Sequence, residues 1–323
     1  MPERKNLFSP PNSPDTLPVP SMDVTVIVIA FNEALHITRC VELIRDHVAR
    51  VVVIDSFSTD GTQDLARASG AEVIEHAFVN HAEQFNWGMA TAEVTTGWIL
   101  RLDADEYVDE TGLREIRRAT DAADAATSAF AIRRGVVFSG SRLRFGGIGN
   151  IFLTRLWRTG TAEVEARWMD EQVLVHVGET RQLTGGAIID ENINDIDWWT
   201  AKHNGYTTRQ MVQWMLDELN RSSAVDLTQL NAHVRRKRMM RRRLYAPAPL
   251  FLRPIAYFVY RYIFAFGFLE GRAGFLFHFF QGLWNFFLVD VKIYEARQVI
   301  AAGGQAAFKD WLSRTYAIEV REL

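Results

Sequence analysis

The chain has almost no cysteine: Cys40 is the only one among its 323 residues. A single thiol excludes an intramolecular disulfide and a metal site built from cysteines, and it fits a reducing compartment. The net charge of −3 is also small, which argues against a general nucleic-acid-binding surface. Hydrophobic residues make up 48% of the chain and charged residues 23%, which indicates an ordinary globular protein.

Two phosphate-binding signatures are missing as well. No Gly-x-Gly-x-x-Gly follows the first apolar run, and no Gly-Lys-Ser/Thr loop occurs, which argues against a dinucleotide oxidoreductase and a P-loop enzyme. The first 21 residues are rich in Pro, Ser and Asn and lack the apolar stretch of a signal peptide. We therefore expect residues 1–22 to be a flexible tail and the protein to stay on the cytoplasmic side.

Short apolar runs alternate with helical patterns through the first third of the chain. The predicted strands are 24–30, 51–54, 71–74 and 97–102, and the predicted helices are 36–46, 63–68 and 83–92. This alternation predicts an α/β fold whose mainly parallel sheet carries helices on both faces. Further along, 130–138 and 143–157 resemble strands of an antiparallel extension, and 197–219 a helix.

Polar residues follow three of these predicted strands. Asn32, Asp55 and Asp103 come directly after apolar runs, and right-handed crossovers place such strand ends along one edge of the sheet. Asp103 and Asp105 are one residue apart, and hard carboxylate ligands in this position suit Mg²⁺ or Mn²⁺ shared with substrate phosphates. The alternative is a solvated acidic turn.

Four motifs in this order resemble the inverting glycosyltransferases of family 2, closest to bacterial members that build lipopolysaccharide cores and exopolysaccharides. The motifs are Ala30-Phe31-Asn32-Glu33, Val53-Ile54-Asp55-Ser56-Phe57-Ser58-Thr59-Asp60-Gly61-Thr62, Gln84-Phe85-Asn86 and Leu102-Asp103-Ala104-Asp105-Glu106. The resemblance is dense over residues 24–107 and looser to about 210. It implies a GT-A fold and transfer of a sugar from a nucleotide-sugar donor with inversion.

The resemblance also implies residue roles. Asp105 is the expected direct ligand of Mg²⁺ or Mn²⁺, and Asp103 contacts the ribose, or the metal through water. The expected nucleotide-sugar-binding residues are Ala30, Phe31, Asn32, Glu33, Asp55, Ser58, Asp60, Gln84, Asn86, Asp103, Ala104 and Lys202. For Lys202, with His203 as the alternative, the expected contact is the donor diphosphate. Residues 55–62 could instead serve only to form a turn and cap a helix. Gln84 and Asn86 could instead be ordinary polar positions of a helix.

Inversion in a single displacement needs a base that removes the acceptor hydroxyl proton. Members of the family supply a carboxylate well downstream of the Asp-x-Asp motif, and residues 167–172 match that position. We predict Asp170 as the base, with Glu171 as the alternative. Neighbouring side chains of an extended segment point in opposite directions, so we expect only one of the two to face the substrate.

The composition changes after about residue 226. Seven cations lie between residues 235 and 243, and two aromatic-rich stretches follow at 250–269 and 273–291. Internal charges disfavour true membrane spans, so we expect interfacial or re-entrant helices at an anionic membrane surface. The alternative is a helical subdomain packed on the catalytic domain or forming a homodimer.

These features predict three regions: a tail at 1–22, a GT-A catalytic domain at 23–230, and a basic, hydrophobic helical region at 231–323. A lipid-linked (polyprenyl diphosphate) or lipopolysaccharide-core acceptor would suit a protein on the cytoplasmic face of the inner membrane. Two other functions stay open: a nucleotidyltransferase acting on sugar phosphates, and a catalytically inactive scaffold. The missing Gly-rich basic loop argues against the first, and Asp55, Asp103, Asp105 and Asp170 argue against the second.

Overall fold

The computed structural model of the chain describes residues 21–219 and 230–320. Most of the predicted tail and the segment just before the predicted boundary at 230 lie outside these residues. Met22, which was assigned to the tail, belongs to the first strand.

The first half of the sheet is parallel, as predicted. Its strands are β1 (Met22–Ala30), β2 (Val48–Asp55), β3 (Glu72–Glu75) and β4 (Trp98–Asp103), in the order β3-β2-β1-β4. The helices between them are α1 (Ile37–Glu42), α2 (Thr62–Ala68) and α3 (His81–Thr91). Because β1 is central and its partners run parallel, the carboxyl ends of β1, β2 and β4 meet at one edge.

The second half makes the sheet mixed. It contains β5 (Glu106–Val108), α4 (Glu110–Ala122), β6 (Thr127–Phe138), β7 (Ser141–Leu143), β8 (Ile151–Arg158) and β11 (Glu179–Glu191). The antiparallel pairing of β8 with β4 and β6 confirms the predicted extension, and β6 and β11 pair in parallel. The strands β9 (Ala162–Val164) and β10 (Val173–Val175) form a separate two-stranded ribbon.

Both faces of the central strands are covered. Val26 and Val28 of β1 pack on one side with residues of α1 and α2, whereas Ile27 and Ile29 pack on the other side with Phe85 of α3. Successive side chains of a strand point to opposite faces, so burial of both faces explains the continuous apolar run in the sequence. The predicted α/β fold class is confirmed.

Helices form the rest of the described chain. They are α5 (Ile196–Leu219), α6 (Ala232–Met240), α7 (Leu252–Val259), α8 (Gly271–Phe277) and α9 (Asn285–Tyr316), with π-helical turns at Arg241–Tyr245, Tyr260–Phe264 and His278–Trp284. Apolar residues of α5 and α9 share a buried cluster that includes Met211, Met215, Ile293 and Phe308. The predicted aromatic-rich helical region is therefore present, and it packs on α5.

The length and apolarity of these helices bear on the predicted interfacial placement. In the part of the chain that the structure describes, no single helix is both long and apolar enough to cross a membrane. The pair Leu252–Phe264 and Gly267–Tyr316, bent by 70° at the break between them, meets the two criteria together.

Candidate active site at the carboxyl edge of the sheet

The loops that follow β1 and β2 are joined by hydrogen bonds. The backbone N–H groups of Asn32, Glu33 and Ala34 donate to the side chains at positions 58, 62 and 60, over 2.8 to 3.0 Å. In return, the Asn32 side-chain oxygen accepts from the backbone N–H of residue 59 at 2.9 Å. Asn32 has a φ of +53°, a conformation that Asn tolerates well. The predicted nucleotide-binding motifs therefore form one rigid unit.

Asp55 is fully buried at the end of β2. Its carboxylate accepts from the Ser58 N–H at 2.8 Å, from the Ser58 hydroxyl at 2.5 Å and from the Gln63 amide at 2.7 Å. Asp60 accepts from Ala34 and Thr62, which is the turn chemistry expected of its position. The side chains of Asp55, Ser58 and Asp60 thus shape the loop that carries them.

Glu33 joins the β1 loop to α5. Its carboxylate lies 2.6 Å from His36 Nδ1 and 3.0 Å from Lys202 Nζ. Burial alone would lower the pKa of Lys202, but Tyr206, Glu33 and Asp105 outweigh that effect and raise it above the usual range. Lys202 is therefore a permanent cation beside the predicted nucleotide loop, while the neighbouring His203 stacks on the Trp199 ring instead.

Asp103, at the end of β4, lies between two guanidinium groups. Arg155 Nη2 donates to Asp103 Oδ2 at 3.2 Å, and Arg101 Nη2 lies 3.6 Å from Asp103 Oδ1. Burial opposes the Asp103 charge, but Arg155 and Arg101 hold the pKa of Asp103 well below its usual range. Asp103 Oδ1 is buried and has no hydrogen-bond partner among the described residues, and the Arg101 guanidinium is its neighbour at ion-pair distance.

Arg155 also contacts Glu106, which is 1% exposed. The distance from Arg155 Nη2 to Glu106 Oε1 is 2.8 Å, and the other Glu106 oxygen accepts the Asp103 N–H at 3.0 Å. Burial raises the pKa of Glu106, although Arg155 opposes that shift. This buried network fixes the backbone of the Asp-x-Asp turn.

Asp105 has a different environment. One carboxylate oxygen accepts from the Asn192 amide at 3.0 Å, and no described cationic side chain lies within ion-pair distance of the carboxylate. Arg39 donates to the backbone carbonyl oxygen of Asp105 and not to its carboxylate. Asp105 therefore fits a direct metal ligand, whereas Asp103 is already paired with Arg155. The described residues contain no group of three His, Cys, Asp or Glu that could hold a metal ion.

Asp170 and Glu171 point in different directions. Asp170 has a φ of +61°, which turns the chain sharply between the two side chains. The Asp170 carboxylate faces α6, lying 2.8 Å from Arg241 and 4.0 Å from Lys237. These cations, Lys237 foremost, lower the pKa of Asp170 to about 2. Glu171 instead accepts from Arg101 Nη2 at 2.8 Å, so one guanidinium nitrogen lies between Glu171 and Asp103.

Gln84 and Asn86 are used inside the fold. The Asn86 amide exchanges two hydrogen bonds with the backbone of Val164 in β9, at 2.7 and 2.9 Å. Gln84 is fully buried and bonds to Ser56 and His76. The structure does not bring the Asn86 side chain to the sheet edge. Phe31 is 57% exposed beside the nucleotide loops, and the Ala30 and Ala104 side chains are buried.

Sequence reasoning missed several groups at this edge, namely His81, Arg101, Arg155, Tyr206 and Arg209. A charged residue inside an apolar strand was the available signal for Arg101 and Arg155. For Tyr206 the signal was its place in residues 202–206, the segment that also supplied Lys202. His81 and Arg209 have no comparable signal, because α3 and α5 bring them together only in the fold. His81 lies near Glu171 and Asp103, which raise its pKa against the dominant lowering by burial.

A family model described as glycosyl transferase family 2 matches residues 25–172. A glycosyltransferase of Rickettsia felis is 35% identical over 87 residues, which cover 27% of this chain and 30% of the relative. The lipopolysaccharide core biosynthesis glycosyltransferase LpsC of Rhizobium meliloti is 23% identical over 59% of this chain and 71% of its own length. The match thus spans less than a third of the first relative.

Solved structures overlap with this chain more weakly. Glucosyl-3-phosphoglycerate synthase from Mycobacterium tuberculosis, in complex with Mg²⁺ and UDP, has a TM-score of 0.35 and 14% identity, covering 55% of this chain and 73% of that one. Staphylococcus aureus TarS has a TM-score of 0.34 and 19% identity, covering 43% and 29%. The matched segment, residues 25–172, contains β1, β2 and the Asp-x-Asp turn of β4, so this part of the chain is similar to glycosyl transferase family 2.

Proposed function

We propose that this chain transfers a sugar from a nucleotide-sugar donor to a glycan hydroxyl, with inversion at the anomeric carbon. The observation that supports this most is the meeting of Asp55, Asp103, Asp105 and Glu171 at one sheet edge. The hydrogen-bonded loops around Asp55 hold the nucleoside, and the Asp103 carboxylate, which is 35% exposed, accepts from a ribose hydroxyl. Lys202 lies next to these loops and offers a positive charge to the donor diphosphate.

Asp105 is the residue that would hold a divalent cation, Mg²⁺ or Mn²⁺, together with the donor diphosphate. When bound, such an ion neutralises the negative charge that develops on the leaving group. Arg155 and Arg101 keep Asp103 ionised and fixed, which orients the turn on which Asp105 stands. Lys202 supplies a second, permanent positive charge on the same side.

Glu171 is the base that the geometry favours over Asp170. A base must be able to take up a proton near the working pH, whereas the Asp170 carboxylate is paired with Arg241 and the cations around it lower its pKa to about 2. In the proposed displacement, the acceptor oxygen attacks the anomeric carbon and its proton passes to Glu171. The bond between the anomeric carbon and the phosphate oxygen breaks, and its electron pair leaves with the nucleoside diphosphate.

The acceptor in this proposal is a lipid-linked or lipopolysaccharide-core glycan at the cytoplasmic face of the inner membrane. The name of the Rhizobium meliloti relative supports this class. Large apolar side chains are exposed along the C-terminal helices, including Ile263, Phe264, Phe266, Phe268 and Leu269. The exposed Arg236 and Arg243 line a cavity of about 270 Å³ with Met239, Met240 and Leu244. Cations beside exposed apolar groups suit an anionic membrane surface.

A donor screen tests this proposal. The full chain is incubated with UDP-, GDP- and dTDP-sugars and Mn²⁺, with membrane extract as the acceptor source, and the released nucleoside diphosphate is measured. We expect one donor class to be consumed, and Asp105→Ala to reduce that rate at least about 100-fold because leaving-group stabilisation is lost. Asp121→Ala, an exposed change on α4, is the control. The proposal would be refuted if none of the donors released nucleoside diphosphate, or if Asp105→Ala and the control had equal rates.

A further inference from the structure

Arg209 is a cation without an anionic partner. In the described residues it makes no hydrogen bond and no ion pair, whereas the nearby Arg101 and Arg155 each pair with a carboxylate. Its guanidinium carbon lies 5.1 Å from the ring centre of Phe78 and 5.8 Å from that of Tyr206. Two aromatic rings therefore hold a partly buried positive charge in place while its N–H donors have no protein acceptor.

Arg209 lies on the same face of α5 as two other residues of the site. Lys202, Tyr206 and Arg209 are separated by four and three residues, so they line up along the helix. Lys202 pairs with Glu33 in the nucleotide loops, and Tyr206 lies where Asp105 and Asp103 influence its ionisation. Arg209 is the last of the three, about 10 Å along the axis from Lys202.

The surroundings of Arg209 are those of the acceptor side. Glu171 interacts electrostatically with both Arg209 and His81, and the His81 ring packs edge-on against Phe78 and Tyr206. The Phe78 side chain is 37% exposed, so the cluster is open to solvent. Arg209 therefore stands beside the proposed base and away from the loops that hold the nucleoside.

We propose that Arg209, held between Phe78 and Tyr206, binds an anionic group of the acceptor, so that the acceptor is an acidic sugar carrying a carboxylate or a phosphate. This rests on the proposed function and specifies its substrate class. A guanidinium matches the two oxygens of a carboxylate or phosphate in a bidentate pair. The exposed Phe78 ring offers an apolar face to the sugar that carries the acid.

Binding of small acidic sugars to the full chain tests this inference. Glucuronate, glucose 6-phosphate and uncharged methyl glucoside are titrated calorimetrically onto protein saturated with UDP and Mn²⁺, and UDP is titrated separately. We expect both acidic sugars to bind at least about tenfold more tightly than methyl glucoside, because a charge-assisted pair forms only with them. Arg209→Gln should remove that preference, and Arg209→Lys should retain part of it.

Three controls show whether a lost preference for acidic sugars is specific to Arg209. Arg144→Gln, a change at an exposed arginine outside the site, should keep the preference, and circular dichroism should show native folding of each variant. The UDP affinity of Arg209→Gln should change less than about twofold, because the donor lies at the Lys202 end. Wild-type protein that does not prefer the acidic sugars would overturn the inference, as would an unchanged preference in Arg209→Gln.

Equal losses of UDP and acidic-sugar affinity in Arg209→Gln would assign the residue to the donor diphosphate instead and overturn the inference. Failure of wild-type protein to bind UDP would refute the proposed function itself, which is a separate result. If Arg209→Gln does not fold, the comparison of wild type with Arg209→Lys decides, since Lys keeps the charge but loses the bidentate geometry.

Discussion

The α/β part of the chain and its C-terminal helices differ in how far their apolar side chains are exposed to solvent. Val26, Ile27 and Val28 in β1 are fully buried between helices on the two faces of the sheet. In the C-terminal helices, Leu244, Phe264 and Leu269 are more than half exposed. Contiguous exposed apolar groups mark an interaction surface. The first region therefore places charged groups at a sheet edge, and the second presents an apolar surface flanked by cations.

Charged groups join the two regions at two places. Arg238 of α6 pairs with the buried Glu165, and Arg241 pairs with Asp170, just before Glu171. Elsewhere, Lys292 of α9 donates to four oxygens of α5. The helical region therefore supports the segment that carries the proposed base, as well as presenting an outer surface.

The largest expected effect separates Asp170 from Glu171. Glu171→Gln removes the proposed base, and the transfer rate should fall about 100- to 1000-fold. Asp170→Asn breaks only the ion pairs with Lys237 and Arg241, and we expect a loss of less than about tenfold. Steady-state transfer kinetics, with the UDP affinity as control for donor binding, measure both. A larger loss in Asp170→Asn would assign the base to Asp170 and place α6 next to the substrate.

Lys292 tests how firmly the two regions are joined. Lys292→Met leaves the oxygens of Asn204, Thr207 and Thr208 without their buried donor, which should lower the free energy of unfolding by about 2–3 kcal/mol. Arg297→Ala is the matched control, because it removes an exposed ion pair to Glu218 between the same helices. We expect the control to lose less than about 1 kcal/mol in urea unfolding. Equal losses would mean that the buried lysine does not stabilise the junction.

The exposed apolar side chains should matter for membranes and not for the fold. Replacing Phe264 and Phe268 by Ser should weaken sedimentation with vesicles containing anionic lipid at least about tenfold. The reason is that the variant lacks two exposed aromatic side chains that the membrane would otherwise bury. Phe145→Ser, at an exposed aromatic of the α/β part, should leave vesicle binding unchanged. If the double variant instead dissociates a dimer in ultracentrifugation, the surface is an interface between copies of the chain.

The smallest expected effect is the loss of stability in acid when Asp170 is protonated. The pKa of Asp170 is lowered from its usual value to about 2, so the stability that its ion pairs provide is complete above about pH 4 and is lost as the pH falls towards 2. The Asp170 side chain is 39% exposed, so water screening limits this contribution to less than about 1 kcal/mol. The difference in urea unfolding between Asp170→Asn and wild type should therefore be largest near pH 5 and shrink as the pH falls through about 2. A difference that stays undiminished at pH 2 would contradict the assignment.

The strand ends were predictable from sequence because they depend on local patterns. Apolar runs followed by Asn32, Asp55 and Asp103 give both the strand and its polar end, and parallel pairing then brings the ends together. The same patterns gave the antiparallel extension and α5. Helix lengths were less accurate: α1 ends at Glu42, because a 3₁₀ turn at Arg45–His47 replaces its predicted last residues.

The arrangement of the site depends on contacts between residues far apart in the chain. The difference between Asp170 and Glu171 arises from Arg241 and Arg101, each about 70 residues away. The Asn86 amide is occupied by the backbone of Val164, which no pattern near Asn86 reveals. Neither the positive φ at Asp170 nor these partners follow from local propensity, so the orientation of the two carboxylates was not predictable.

The hydrogen bonds between the loops after β1 and β2 have a consequence for protein engineering. Three backbone N–H groups of the first loop depend on side chains of the second, at Ser58, Asp60 and Thr62. Consider a chimaera in which residues 55–62 come from another protein. The first loop would keep its shape only if the inserted sequence has oxygen-bearing side chains at those three positions. The first loop contributes one specific side chain in return, that of Asn32, so exchange of the second loop needs just this residue as its counterpart.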